Sequence, residues 1–116
     1  MKNSNKLVKI VYDALDDKKA EDIRILDIRN VSVIADYFII ANGSNTNHLQ
    51  ALIDNVEEEM AKEGYYTRQT EGKNTNWVLL DYNDIIVHVF SKEDRLFYDL
   101  ERIWSDGKEI NINELV

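Results

Sequence analysis

The 116-residue chain has no cysteine and no proline, only four glycines, and 14 basic residues against 22 acidic ones. Without cysteine there are no disulfides, no thiol catalysis and no thiolate zinc site, which fits a reducing compartment. The few glycines form neither a Gly-x-Gly-x-x-Gly nor a P-loop pattern, the familiar backbone cradles for phosphate. Apolar runs stay far below the roughly 20 residues needed to cross a bilayer. No short hydrophobic signal core follows Met1, so the expectation is a cytoplasmic protein without a membrane role. Internal repeats and low-complexity stretches are also missing.

What is present describes an ordinary folded domain. Hydrophobic residues make up 44% and charged residues 31% of the chain, the mix of a soluble globular protein with one core. The net charge of −8 and pI near 4.7 would repel a phosphate backbone, so little direct RNA contact is expected. An acidic chain is steered instead toward basic partners.

The apolar spacing predicts the elements in order. Leu7, Ile10, Val11, Ala14 and Leu15 recur at helical intervals, giving an amphipathic helix over 5–17. Residues 22–28, DIRILDI, read as a β-branched strand. Residues 36–43, DYFIIANG, hold an apolar run from Tyr37 to Ala41 without alternation, as expected for a central strand covered on both faces. Ser44 or Asn45 caps a helix carrying Leu49, Leu52, Ile53, Val56 and Met60, and Gly64 ends it. A short strand over Tyr65–Thr70 and a polar loop lead into NWVLLDYNDIIVHVF, residues 76–90, two strands meeting at an acidic turn. A last helix follows Ser91, with Leu96, Phe97, Leu100, Ile103 and Trp104 on its apolar face. The predicted fold is a single α/β (α+β) domain over 1–107, with a mixed, about five-stranded sheet flanked by helices. The tail, 108–116, shows no period and is left as a segment free to dock or move.

No catalytic constellation emerges. His88 stands alone in IIVHVF without a Ser or Cys nucleophile, and a lone histidine in an apolar strand is more often structural than catalytic. With His48 as the only other histidine, no HExxH and no thiols, a zinc site is not expected. Asp81 and Asp84 flank Tyr82-Asn83 and suit a solvent-facing hairpin end. Gly43-Ser44-Asn45 lies between strand and helix, where a nucleotidyltransferase holds phosphates, yet the Asp-x-Asp that would bind Mg²⁺ is missing. Catalytic residues, metal ligands and cofactors are therefore predicted to be none, with nucleotidyl transfer the enzymatic alternative.

Strand alternation sorts the hairpin into two faces. Trp77, Leu79 and Asp81 share one and Val78, Leu80 and Tyr82 the other; in the second strand Ile86, His88 and Phe90 oppose Ile85, Val87 and Val89. The set with Val87 is core. The set with Trp77 either lies beneath a helix or stays partly open, an aromatic patch rimmed by Asp81 and Glu71 and suited to gripping a basic partner.

DYFIIANG at 36–43, EGKNTNWVLLDYNDIIVHVF at 71–90 and EDRLFYDLERIW at 93–104 resemble, in order and spacing, the ribosomal silencing factor family, also called iojap. Asn83 departs from the glycine frequent at that turn. The resemblance, over about residues 5–107, implies a nucleotidyltransferase-like fold without the catalytic acids. It implies a translational repressor that binds large-subunit ribosomal protein fourteen on the large ribosomal subunit and blocks joining of the small subunit. By resemblance the contact surface falls on Glu71, Trp77, Leu79, Asp81, Tyr82 and His88, with Arg95 and Tyr98 as further members. A homodimer when free, or a purely structural dimerisation module, remains an alternative.

Overall fold

A computed structural model describes residues 4–30, 33–72, 75–92 and 108–115. Its elements are α1 (Ser4–Asp17), β1 (Glu21–Asp27), β2 (Tyr37–Gly43), α2 (Thr46–Lys62), β3 (Gln69–Glu71), β4 (Trp77–Asp81), β5 (Ile85–Ser91) and β6 (Lys108–Ile110), with a 3-10 turn at Ile112–Leu115. The strands form one six-stranded mixed sheet in the order β3-β4-β5-β2-β1-β6. Only β2 and β5 run parallel, while the other neighbours are antiparallel. That parallel pair needs a long crossover, which runs through α2 and then the antiparallel β3 and β4.

The helices α1 and α2 cover the same side of the sheet. Leu7, Val8, Val11 and Leu15 of α1 and Leu49, Leu52, Ile53, Val56 and Met60 of α2 pack on Ile25, Ile39, Ala41, Leu80 and Val87. Every one of these side chains is nearly or fully buried, so this layer carries most of the hydrophobic stabilisation. A second cluster, Leu26, Ile28, Ala35, Ile40, Ile86 and Phe90, lies on the opposite side, with Phe38, Trp77 and Leu79 partly buried against it. Burial on both sides explains why Tyr37–Ala41 is apolar without alternation.

Asn45, rather than Ser44, caps α2: its Oδ1 accepts from the His48 N–H at 2.8 Å. Gly64, at φ +85°, takes the left-handed conformation that ends the helix, the role for which glycine is suited. The strand expected over Tyr65–Thr70 is shorter and later, at Gln69–Glu71. Tyr65 N–H is still tied to the Met60 carbonyl of α2, and sheet pairing begins only where Arg68 N–H reaches the Asp81 carbonyl. The predicted last helix, with Leu96, Phe97, Leu100, Ile103 and Trp104, lies outside the described residues.

The tail brings the sixth strand. Lys108–Ile110 pairs with Asp27, Leu26 and Ile25 of β1, and Arg24 bridges to Glu109 at 3.0 Å. Ile110 and Ile112 pack against the helix-side core. Among the described residues no helix is long and apolar enough to cross a membrane.

Candidate interaction surface

On the face away from α1 and α2, side chains from neighbouring strands fall into rows. Glu71, Leu79, His88 and Ile40 are successive partners at one level, Trp77, Phe90 and Asn42 at the next, and Gln69, Asp81, Ile86 and Phe38 at a third. Directly opposed residues project to the same face, so the register sets who touches whom.

An aromatic group occupies the centre. The Trp77 and Phe90 rings stack with centroids 5.1 Å apart and 22° between planes. Phe38 meets His88 edge-on at 5.0 Å, and Trp77 lies 6.1 Å from the imidazole. The Trp77 indole N–H donates to His88 Nδ1 at 3.3 Å. His88 and Phe90 are buried and form the floor, while Trp77 and Leu79 remain half-buried. The chemistry on offer is an apolar, partly open platform with one oriented indole.

Burial pulls the pKa of His88 down to about 4, so the imidazole is neutral near pH 7. Because Nδ1 accepts from the indole, we assign the ring proton to Nε2. That atom is buried without a hydrogen-bond partner among the described residues.

The other expected surface residues take different places. Asp81 is on the Trp77 side, but its carboxylate is buried rather than solvent-facing. One oxygen accepts from the Asn83 N–H at 2.8 Å and the other from Arg68 at 2.8 Å. The turn itself is one residue later than expected. Tyr82 N–H pairs with the Ile85 carbonyl, and Asp84 N–H closes on the Tyr82 carbonyl around Asn83 at φ +76°. Asp81 is therefore committed to holding a tight γ-like turn. Tyr82 points to the opposite side, into the helix-covered core, where burial and the nearby Glu57 raise its pKa. Glu71 is exposed on β3, opposite Leu79, and accepts from Gln69 at 2.6 Å. Arg95 and Tyr98 lie outside the described residues.

The Gly-Ser turn is occupied by the protein itself. Ser44 N–H donates to His48 Nδ1 at 2.8 Å, and His48 Nε2 lies 2.7 Å from the Lys18 carbonyl, to which it donates in the matching tautomer. His48 thus clips the end of β2 to the turn after α1. Gly43 is required by close approach, since an added Cβ would stand 2.8 Å from the Leu49 nitrogen. Among the described residues no three His, Asp or Glu side chains converge as a metal set.

Sequence reasoning missed Phe38 and Arg68. Phe38 reaches the platform through the parallel β2–β5 register, for which a linear pattern has no signal. Arg68 lies thirteen residues from Asp81, and only pairing of β3 with β4 brings them together.

The family model described as "Ribosomal silencing factor during starvation" matches residues 1–116. The chain is similar to Ribosomal silencing factor RsfS of Bacillus subtilis, 39% identical over 106 residues and covering 90% of each chain. It is also 32% identical over 115 residues to Ribosomal silencing factor RsfS of Halalkalibacterium halodurans, covering 98% of each. A crystal structure from Chromobacterium violaceum superposes with a TM-score of 0.84 at 30% identity, covering 93% of this chain and 90% of that one.

Proposed function

The chain belongs to the ribosomal silencing factor family, and from that premise we propose that it represses translation by occupying the large ribosomal subunit. In this reading it docks on large-subunit ribosomal protein fourteen and sterically blocks joining of the small subunit when nutrients are limiting. It acts in the cytoplasm as a binding protein rather than an enzyme, in keeping with relatives named as silencing factors.

The observation that carries the reading is the half-buried Trp77–Leu79 pair over a buried aromatic floor, on the sheet face opposite α1 and α2. A large aromatic that is packed yet still half-buried is the composition of an interface anchor. Exposed Glu71 beside it, and a net charge of −8, favour a basic protein over bare RNA.

Co-sedimentation with purified subunits and light scattering of subunit joining test the proposal together. The chain should travel with free large subunits and slow joining. Normal joining at saturating protein, with no co-sedimentation, would reject it. A second copy of the chain is the competing occupant of the same face, so the experiment is run across protein concentrations.

A further inference from the structure

We propose that His88 is the positioning residue of this surface: its neutral imidazole holds the Trp77 indole in the orientation that docks, at the cost of an unpaired buried N–H. The proposal rests on the binding role of the Trp77 face argued above and adds a residue that never touches the partner.

The argument begins with what the imidazole contributes. His88 is buried between Phe38 of β2, Leu79 and Trp77 of β4 and Phe90 of its own strand. An apolar side chain of similar size would fill that place and leave no polar atom behind. Histidine instead leaves Nε2 buried with no partner among the described residues, a destabilising arrangement. The compensating feature is Nδ1, which accepts the Trp77 indole N–H at 3.3 Å.

That hydrogen bond matters because Trp77 is only half-buried. Stacking on Phe90 at 22° fixes the plane of the indole but not its rotation about the Cβ–Cγ bond, since a half-turn restores that plane with Nε1 on the opposite edge. A bond from Nε1 to a buried acceptor fixes the rotation too. A ring already held in its bound orientation loses less freedom on docking, which strengthens binding without a new contact.

The test uses the full chain. In a long-range proton–nitrogen spectrum His88 should appear as the Nε2–H tautomer at neutral pH, and the Trp77 indole resonance, identified by its absence in W77F, should report a hydrogen-bonded N–H. In His88→Leu that resonance should move toward the solvent-exposed position, and capture of large subunits should weaken about tenfold while the domain stays folded. His88→Asn, whose side-chain oxygen lies near the Nδ1 position, should recover most of the loss. The Nδ1–H tautomer in the wild type would overturn the proposal, as would wild-type affinity in a folded His88→Leu. If His88→Leu does not fold, the wild-type tautomer and W77F decide, and W77F binding as tightly as wild type would overturn it. Failure of the wild type to capture subunits rejects the ribosomal reading instead, because the spectrum reports the His88–Trp77 bond without any subunit present.

Discussion

Trp77, Asp81 and His88 stand within twelve positions of one another, yet their side chains have three different tasks. Asp81 spends both carboxylate oxygens inside the protein, on the Asn83 N–H and on Arg68. Trp77 is half-buried, stacked on Phe90 and hydrogen-bonded to His88. His88 links floor to surface, and its burial gives it a measurable acid signature. The folded ring stays neutral until about pH 4, against an ordinary value of 6.5. The unfolded chain takes up the proton near 6.5, so acid favours unfolding in this window. Stability from this residue is complete above about 6.5 and is lost as pH falls toward 4, by about 3 kcal/mol at most. Urea midpoints at pH 7 and pH 4.5 check this: wild type should lose more stability between them than His88→Leu. Alternation along β4 and β5 made the shared face of Trp77, Leu79 and His88 legible from the sequence. It gave no sign that Asp81 is buried, because its partner Arg68 lies thirteen residues away, just before β3.

At the level of elements, the clearest gap between sequence and structure is the tail. Lys108–Ile110 is too short for any periodicity to show, and its strand conformation is set by β1, whose outer edge it covers. Removing residues 108–116 should expose that edge and part of Ile25, breaking the ladder bonds and the Arg24–Glu109 bridge. Loss of the packed Ile110 and Ile112 adds to this, and a destabilisation of about 2–4 kcal/mol is expected in chemical denaturation. The longer elements were legible because each has its own signal: a stripe at helical spacing for α1 and α2, an unbroken apolar run for β2. The cap of α2 has a defined value as well. Asn45→Ala removes the acceptor for the His48 N–H and should cost about 1 kcal/mol. Measured thermal unfolding should therefore shift down with the fold otherwise unchanged.

Across the whole molecule, the two sides of the sheet divide the work. The helix-covered side holds the larger core, with Glu57, Glu58 and Glu59 on α2, while the other side presents the aromatic platform. The fold class and the mixed sheet were readable from element order, because a helix between strands lets them run parallel while a hairpin makes its strands antiparallel. The count of strands was not, for the reason given by the tail. A net charge of −8 implies that long-range attraction speeds encounter with a basic partner and that salt screens it. Raising ionic strength should slow association with large subunits while leaving dissociation nearly constant, as stopped-flow kinetics would show. Substitution of the platform should do the reverse, because close contacts govern how long a complex lasts.

The most direct test combines these scales in one substitution. Trp77→Ala removes the half-buried anchor from the platform, and a central interface aromatic is worth about 2 kcal/mol or more, or about 30-fold in affinity. Light scattering of subunit joining should show the wild type slowing association and Trp77→Ala requiring about 30-fold more protein for the same effect, with an unchanged circular dichroism spectrum. A folded Trp77→Ala that blocks joining as well as the wild type would contradict the account.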